Sequence, residues 1–392
     1  MKKKIIILGS TGSIGLSTLK IIDKKKTFFN IILLSSNKNF PLICKQIKKY
    51  NPKYYLINDL KTYAKVKKKF KKNKVKLLKN YDFRKLNLRS DITISAIPGI
   101  AGLEPTINII SHTKKMLIAN KESVICGWKL IKKYAKKNKT KIIPVDSEHY
   151  SISQLIQNYK KNEIEKIFLT ASGGPFLNYK ISQLKDVRPN DALAHPKWKM
   201  GKKITIDSST LLNKVFELIE AQKIFNLPSN KFEIIIHPNS LVHAIVKYKN
   251  GLVKFLYHET TMIIPIANAI FDGKLIIKDF YKIHNKKKNF KSIPDLIFKK
   301  PDQKIFPIIK ILKRINECPS TPIIINSANE VLVDQFLQKN LSFLGITKII
   351  MSIMNDRNYR KYAIKTPTSI NQIKLVDHWA REITYKKIKL FK

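Results

Sequence analysis

Short apolar runs alternate with lysine-rich, helix-like stretches over residues 1–145. Six of these runs are rich in β-branched residues and predict strands at 5–8, 31–35, 54–57, 92–96, 116–119 and 141–144. Alternation of this kind is typical of βαβ units, whose strands lie parallel in one sheet. We therefore predict an α/β fold that begins with a Rossmann-like, doubly wound parallel sheet.

The pattern changes at residue 146. Over 146–275, strand-like segments such as "EKIFLTAS" and "FEIIIH" mix with one strong helix, "STLLNKVFELIEAQKIF", and Asn250-Gly251 predicts a hairpin turn. This mixture predicts an α+β catalytic and connective domain. Residues 276–300 lack periodicity and predict a linker, and the helical period of 301–392 predicts a C-terminal α-helical bundle.

The net charge of +49 is extreme, with 76 lysines and arginines against 27 acidic residues. Such a charge ordinarily suggests a polyanionic partner. However, only seven of the basic residues are arginines, and the lysine runs at 65–76 and 284–292 lack the interleaved aromatic residues of a base-stacking surface. We interpret the charge as surface composition from an AT-rich bacterial genome and expect no specific nucleic-acid partner.

The three cysteines, Cys44, Cys126 and Cys318, lie far apart in the chain. Their odd number argues against a disulfide framework and favours a reducing compartment. No apolar run approaches the ~20 residues that span a bilayer, and the run at the start of the chain ends at Gly9. These features predict a cytoplasmic protein with no membrane partner.

The segment "ILGSTGSIG" places Gly9, Gly12 and Gly15 between a strand that ends at Leu8 and a helix that begins near Ser13. Glycines at a strand-to-helix turn let the backbone approach a pyrophosphate, whose charge the helix N-terminus stabilises. Their spacing differs from the commonest dinucleotide fingerprint, and a tight turn without a ligand is the structural alternative. We predict a dinucleotide site.

The end of the second predicted strand discriminates between the two nicotinamide cofactors. An NAD site usually offers an acid there to the ribose 2′-hydroxyl, whereas this chain has Lys38 between Asn37 and Asn39. A cation and two amides suit a 2′-phosphate, which a carboxylate would repel. A lysine alone could occur by chance in this chain, so the missing acid is the stronger indication of NADPH.

Asp146 and Glu148 lie two residues apart in "PVDSEH", directly after a predicted strand. Two carboxylates so close repel each other unless a cation lies between them, and oxygen-only ligands select Mg²⁺ or Mn²⁺. The spacing alone is not specific, because such pairs also occur in solvated loops.

A third carboxylate, Glu217, lies one helical turn after Asn213, with Lys214 beside that asparagine. Asp207 or Ser208 precedes this helix in the sequence and is predicted to cap it. A face with Ser208, Asn213 and Lys214 offers donors for a phosphate. An amphipathic helix that shows its polar side to water has the same pattern.

Two loops contain residues suited to an anionic ligand. The loop "LTASGGPF" supplies Ser172 beside two glycines that leave the backbone free to adapt. The loop "AHPKWKMG" places His195 and Trp198 among lysines, and we predict that residues 192–202 form a flap whose indole covers the substrate and excludes water. A surface tryptophan without a role is the alternative.

These segments together resemble the 1-deoxy-D-xylulose 5-phosphate reductoisomerase family along nearly the whole chain. The matching motifs occur in the family's order and spacing: "GSTGSIG", "AIPGIAGL", "IANKES", "PVDSEH", "SGGPF", "HPKWKMG", "DSSTLLNK", "FELIEA", "IHPNSLVHA" and "NSANEVLV". The resemblance implies a homodimer that uses NADPH and Mg²⁺ or Mn²⁺ to convert the sugar phosphate 1-deoxy-D-xylulose 5-phosphate into 2-C-methyl-D-erythritol 4-phosphate. The implied chemistry is a metal-assisted retro-aldol and aldol rearrangement followed by hydride transfer, in the non-mevalonate isoprenoid pathway.

The resemblance also implies roles for residues at the matching positions. The metal ligands would be Asp146, Glu148 and Glu217, and the catalytic residues would be Lys121, Glu148 and His195. The substrate would contact Lys121, Ser147, Glu148, Ser172, His195, Trp198, Ser208, Asn213, Lys214 and Glu217. The cofactor NADPH would contact Gly9, Ser10, Thr11, Gly12, Ser13, Ile14, Gly15, Asn37, Lys38, Asn39, Asn120, Glu122 and Gly201.

Three positions depart from the family's usual pattern. Asn37 stands where a glycine is common, and Thr261 and Ile263 stand where Asp and Arg are frequent. The first departure is next to the predicted adenosine ribose, and the other two would remove a polar contact that we expect at the dimer interface. None of them changes a metal or phosphate candidate, so we expect an active enzyme.

Two rival interpretations explain less of the sequence. A dehydrogenase of the aspartate-semialdehyde type would need a cysteine nucleophile, and no cysteine lies in a glycine- or asparagine-rich turn that would activate it. A non-enzymatic polyanion-binding protein would fit the charge of +49 but not the cluster of acidic residues.

Overall fold

The computed structural model describes residues 2–84, 86–198, 200–276 and 295–391. Most of the predicted linker, residues 277–294, therefore lies outside the described residues. Within those ranges, none of the helices combines the length and the apolar character needed to cross a lipid bilayer.

The chain divides into two compact units. The first takes in the residues up to Asn120, Leu130–Tyr150 and the segment that begins at Thr261. The second takes in Lys121–Lys129, Ser151–Thr260 and the residues from Asp295 onward. The three-domain division made from the sequence stays a prediction.

The first unit contains a parallel sheet with seven strands among the described residues. In chain order they are β1 (Lys3–Leu8), β2 (Phe29–Ser36), β3 (Tyr54–Ile57), β4 (Lys76–Leu78), β5 (Ser90–Ser95), β6 (Thr113–Ile118) and β7 (Lys141–Pro144). They lie in the order β4-β3-β2-β1-β5-β6-β7. This order confirms the predicted doubly wound sheet. Strands β2 to β4 are added on one side of β1, and β5 to β7 on the other side, so the strand order reverses between β1 and β5. In parallel sheets, ligands bind at the carboxyl ends of the strands beside such a switch point.

Helices are numbered in chain order over the described residues. They are α1 (Ser13–Lys24), α2 (Phe40–Tyr50), α3 (Leu60–Lys69), α4 (Leu103–Ile110), α5 (Lys121–Lys137), α6 (Ser147–Ile156), α7 (Pro189–Leu193), α8 (Lys202–Ser209), α9 (Leu212–Phe225), α10 (Ile263–Phe271), α11 (Thr321–Leu337), α12 (Phe343–Met354), α13 (Tyr359–Ala363) and α14 (Ile370–Leu390).

The core of the first unit is centred on β1. Its last four residues, Ile5 to Leu8, are fully buried, as expected for a strand covered on both faces of a parallel sheet. Each such side chain contributes about 1.5–3 kcal/mol of burial free energy. Because burial holds Ile5 to Leu8 in place, it also fixes where the turn after β1 begins.

The second unit contains a four-stranded sheet and most of the C-terminal helices. Its strands are β8 (Ile164–Ala171), β9 (Phe232–Ile236), β10 (Val242–Tyr248) and β11 (Val253–Tyr257), in the order β11-β10-β8-β9. The predicted hairpin is confirmed, because β10 and β11 pair antiparallel and Gly251 in their turn has a φ of +87°. Helix α11 is largely buried and packs against α8, α12 and α14.

The strong helix predicted over 209–225 is α9, but it begins three residues later, at Leu212, and a separate helix, α8, precedes it. Helix α8 ends at Ser209 and α9 begins at Leu212, because Leu211 adopts a left-handed φ of +68° and its N–H bonds the Ser208 carbonyl at 3.1 Å. Asp207 and Ser208 therefore lie in the last turn of α8, and the prediction that one of them caps α9 is wrong. The burial of Leu211, which is 1% exposed, offsets the cost of its conformation.

Candidate active site

The turn after β1 is shaped by its glycines. Gly9 has a φ of +84°, and a Cβ at this position would lie 2.5 Å from the Ala96 carbonyl oxygen. A Cβ on Gly15 would lie 2.4 Å from the Gly9 carbonyl oxygen, so α1 packs directly on the loop. Gly12 is the N-cap of α1 and places no side chain over its first N–H groups. This is the arrangement that binds phosphate at helix N-termini.

Ser10 supports this turn from inside. It is fully buried, its Oγ donates to Gln46 Oε1 at 2.7 Å, and its N–H donates to the Ser35 carbonyl at 2.8 Å. Gln46 Nε2 donates to the Ser10 carbonyl at 2.9 Å, and the Tyr55 hydroxyl donates to Gln46 Oε1 at 2.7 Å. Gln46 and Tyr55 were missed from the sequence. The predicted cofactor contacts on the accessible side of the turn are Thr11, Gly12, Ser13 and Ile14.

The residues that follow β2 lie on the surface of the first unit. Asn37, Lys38 and Asn39 are all exposed. Asn39 Oδ1 accepts a hydrogen bond from the Leu42 N–H at 3.2 Å and caps α2. The lysine therefore lies beside the start of a helix, where an anion is favoured.

Asn120 closes the loop that follows β5. Its Nδ2 donates to the Gly99 carbonyl at 3.0 Å and to the Ile97 carbonyl. A Cβ on Gly102 would lie 2.8 Å from the same Nδ2, so only glycine fits there. The side chain of Asn120 is therefore a structural support at the switch point of the sheet.

Asp146 and Glu148 lie at the carboxyl end of β7, where α6 begins. One carboxylate oxygen of Asp146 lies within 4.8 Å of one carboxylate oxygen of Glu148. The Glu148 N–H donates to Asp146 Oδ1 at 3.2 Å, and the Ser147 hydroxyl donates to Glu148 Oε2 at 2.6 Å. His149 Nδ1 lies 3.1 Å from Asp146 Oδ1. Two hard oxygen donors so placed fit a Mg²⁺ or Mn²⁺ ion.

Glu217 lies in a buried cluster of the second unit and is 2% exposed. Its Oε1 accepts from Lys121 Nζ at 2.8 Å and from Asn213 Nδ2 at 2.5 Å, and its Oε2 accepts from Lys214 Nζ at 2.6 Å. Lys121 Nζ also donates to Asn213 Oδ1 at 2.8 Å. Two ammonium groups thus donate to one carboxylate, and ammonium groups are also donors that bind phosphate.

Ser172 and His195 form a hydrogen-bonded pair, with Oγ 3.1 Å from Nε2. His195 Nδ1 accepts from the N–H groups of Lys197 and Trp198, at 3.2 and 2.9 Å, so the proton of the neutral ring is on Nε2 and is donated to Ser172. The Gly174 N–H also donates to Ser172 Oγ, at 3.1 Å. Burial lowers the pKa of His195 to about 4. With two donors on its oxygen, the Ser172 hydroxyl is left to donate its own proton to a ligand.

The glycine loop after β8 packs against the end of α8. Gly173 and Gly174 have φ values of +83° and +63°, and a Cβ on Gly174 would lie 3.1 Å from the Ser208 carbonyl oxygen. Any larger residue there would push Ser208 away from the loop. The two predicted phosphate serines, Ser172 and Ser208, are therefore held on adjoining segments of the second unit.

The predicted flap, 192–202, contains one residue outside the described ranges, 199. The Trp198 ring lies 6.1 Å from His243 in an edge-to-face contact, and His243 stacks on His258 at 3.7 Å. The histidine pair was not singled out from the sequence, although His243 lies in the motif "IHPNSLVHA". Gly201 is the N-cap of α8, so the last residue of the predicted flap, 202, is the first residue of that helix.

Cys126 is unsuited to the nucleophilic role that the dehydrogenase alternative requires. Its side chain is buried, and burial raises the pKa of the thiol well above its ordinary value. Cys44 is buried as well. A thiol without charge or access is a poor nucleophile.

Comparison with known proteins identifies the family. The model of 1-deoxy-D-xylulose 5-phosphate reductoisomerase matches residues 5–127, that of its C-terminal domain matches 142–225, and that of a further DXP reductoisomerase C-terminal domain matches 259–383. A 1-deoxy-D-xylulose 5-phosphate reductoisomerase from Pelagibacter ubique is 47% identical over 376 residues, which cover 95% of this chain and 96% of the relative. The chain belongs to the 1-deoxy-D-xylulose 5-phosphate reductoisomerase family.

Solved structures of reductoisomerases agree with this assignment and confirm the resemblance seen in the sequence. A reductoisomerase in complex with NADPH, fosmidomycin and magnesium is 30% identical, with a TM-score of 0.91 and coverage of 99% of each chain. The Zymomonas mobilis reductoisomerase in complex with NADPH is 31% identical, with a TM-score of 0.87 and the same coverage. The match extends over the parallel sheet, the second sheet and the C-terminal helices.

Proposed function

We propose that this protein converts 1-deoxy-D-xylulose 5-phosphate into 2-C-methyl-D-erythritol 4-phosphate by rearrangement and NADPH-dependent reduction. The observation that carries the proposal is the buried cluster around Glu217, in which Lys121, Asn213 and Lys214 converge on one carboxylate. Family membership supports the choice of substrate, because the relatives bear that enzyme's name.

The cofactor would be NADPH, bound by the turn after β1. Magnesium and NADPH are named in the solved reductoisomerase complexes, and the exposed Lys38 suits a 2′-phosphate. The adenosine end would lie near Asn37, Lys38 and Asn39, and the pyrophosphate near Gly12 and the start of α1. Asn120, Glu122 and Gly201 remain predicted contacts of the nicotinamide half.

A divalent cation would be held by Asp146, Glu148 and Glu217. The donor set fits, because all three are carboxylates and Glu148 and Glu217 are 8% and 2% exposed. When bound, the cation would polarise the substrate's ketone oxygen as a Lewis acid. Lys121 and Ser147 would contact the hydroxyl end of the substrate.

The substrate phosphate would be bound by Ser172, Ser208, Asn213 and Lys214, with His195 close by. Neutral His195 donates to Ser172 and so directs the serine proton outward. Binding the phosphate away from the reacting carbons keeps the fragments of the rearrangement together. Trp198 would cover the substrate and exclude water as the flap closes.

A second copy of this chain would cover the edge strand β11. In β11, Val253 and Phe255 are 56% and 47% exposed, and Leu252, which directly precedes the strand, is 50% exposed. An exposed apolar edge strand can pair with other chains and cause aggregation. Covering this strand in a homodimer would prevent such pairing. A cytoplasmic location stays a prediction of the sequence.

The proposed function is tested by following NADPH consumption with 1-deoxy-D-xylulose 5-phosphate and Mg²⁺, before and after EDTA. We expect turnover that EDTA abolishes and fresh metal restores. No turnover from folded, metal-loaded protein would refute the proposal. Weak retention of duplex DNA that disappears as salt rises would be the behaviour of surface charge alone.

A further inference from the structure

Lys203 lies between two buried carboxylates in the second unit. It is the second residue of α8, and its Nζ donates to Asp207 Oδ2 at 2.8 Å and to Glu122 Oε1 at 3.0 Å. The same ammonium group lies 5.3 Å from the centre of the Phe216 ring. The side chains of Asp207 and Glu122 are only 2% and 9% exposed, so these contacts are screened less than surface ion pairs.

The charges in this triad depend on one another. Burial opposes a charge on Lys203, but Asp207 and Glu122 outweigh it and raise the pKa of the ammonium group. Burial also opposes a charge on Glu122, yet Lys203 lowers the pKa of that carboxyl. Asp207 Oδ1 accepts a further hydrogen bond from Asn329 of α11 at 2.7 Å. Lys203 is therefore tied to three helices of the unit, α5, α8 and, through Asp207, α11.

Each of the two acids is adjacent in the chain to a residue of the proposed substrate site. Glu122 follows Lys121, whose ammonium group reaches Glu217 at 2.8 Å. Asp207 precedes Ser208, a proposed donor to the phosphate. The Lys203 ammonium group thus links the chain segment of Lys121, which would bind the substrate's hydroxyl end, to the segment of Ser208, which would bind its phosphate.

We propose that Lys203 is a positioning residue: by binding Glu122 and Asp207 together, it fixes the spacing between Lys121 and Ser208, and so between the two ends of a bound sugar phosphate. The inference rests on the proposed function. It gives Lys203 no contact with the substrate. An error of about 1 Å in the placement of a substrate costs about 100-fold in rate, whereas a purely structural ion pair would affect stability alone.

The test is Lys203→Met, with kcat and KM for 1-deoxy-D-xylulose 5-phosphate and the inhibition constant of inorganic phosphate. We expect kcat/KM to fall about 100-fold, while phosphate inhibition changes less than about threefold because phosphate touches one end of the site. Lys203→Arg keeps donors for both acids and should recover at least about a tenth of the wild-type kcat/KM. The matched control is Lys348→Met, which removes the same charge from an exposed position on α12 and should change kcat/KM less than about twofold.

Two results would overturn the inference: unchanged kcat/KM in folded Lys203→Met, or a loss of phosphate inhibition as large as the loss of kcat/KM. If Lys203→Met does not fold, Lys203→Gln takes its place with the same expected split, because its amide still donates to one carboxylate. Absence of turnover in the wild-type protein would refute the proposed function instead, so the two failures are distinguishable.

Discussion

Replacing Gln46 by leucine tests how far the turn after β1 depends on the side chains beneath it. Gln46 is 3% exposed and makes three hydrogen bonds to Ser10 and Tyr55. In the variant, Ser10 Oγ still has the Ser35 carbonyl at 3.1 Å, and the Tyr55 hydroxyl lies 3.3 Å from Ser10 Oγ. The Ser10 carbonyl, however, loses its donor. A buried acceptor left unpaired costs about 1–3 kcal/mol and two weakened hydroxyl bonds about 1 kcal/mol more, so the free energy of unfolding should fall by about 2–4 kcal/mol.

Two companion variants bracket this value. Tyr55→Phe removes one of the three bonds and should lower the free energy of unfolding by about 1 kcal/mol. Gln46→Glu keeps the size of the side chain but places a carboxylate oxygen against the Ser10 carbonyl, and it should be the least stable at pH 7. Burial should raise the pKa of the new acid above its unfolded value of about 4.3. The free energy of unfolding of Gln46→Glu should therefore be highest below that pH and fall as pH rises through the folded pKa.

The measurements are urea unfolding followed by circular dichroism, and NADPH titration followed by fluorescence. In Gln46→Leu we expect NADPH affinity to weaken about tenfold, because the glycine turn loses its support, equivalent to about 1.4 kcal/mol. The exposed Gln157→Leu is the control and should change stability by less than about 0.5 kcal/mol. Wild-type stability and wild-type NADPH affinity in Gln46→Leu would refute the account of the turn.

Three further predictions concern the cofactor, the histidine and the metal. Lys38→Glu should raise KM for NADPH about tenfold and leave KM for NADH within about twofold, measured by steady-state kinetics; equal effects on both cofactors would contradict the 2′-phosphate assignment. Because the folded pKa of His195 is lowered to about 4, its contribution to stability is complete above its unfolded pKa of about 6.5 and is lost as pH falls towards the folded pKa; an NMR titration with a midpoint near 6.5 would contradict this. Glu217→Gln should lower kcat at least about 1000-fold and remove the buried carboxylate that Lys121 and Lys214 share, at about 3–5 kcal/mol of unfolding free energy. Inorganic phosphate should then raise the melting temperature of this variant more than that of the wild type, and undiminished activity would remove Glu217 from the site.

The strands of the first sheet could be predicted because most contain several apolar residues in succession. The strand that was missed, β4, has only three residues, Lys76–Leu78, and adjoins a lysine run. The break before α9 was missed for another reason. Its left-handed residue is Leu211, and neither glycine nor proline marks the position.

Site residues that are close in the chain could be assigned together, as Asp146 and Glu148 were from their spacing. Contacts across the chain could not. Lys121 and Glu217 are 96 residues apart, and no spacing rule relates them. The same holds for Lys203 and Glu122, 81 residues apart, although the i,i+4 spacing of Lys203 and Asp207 was a local signal that could have been used. Local periodicity predicts elements, whereas charge pairing between elements depends on how the elements pack.

Lys214 has two partners to serve, the Glu217 carboxylate and the proposed substrate phosphate. Its ammonium group lies 2.6 Å from Glu217 Oε2, and the same group is the proposed donor to the substrate phosphate. An anion that draws Lys214 away leaves Glu217 at a more negative potential, which favours a cation there. A cation at Glu217 in turn releases Lys214 for the anion. Phosphate and metal should therefore bind cooperatively, and by thermodynamic linkage each strengthens the other by the same factor whichever binds first.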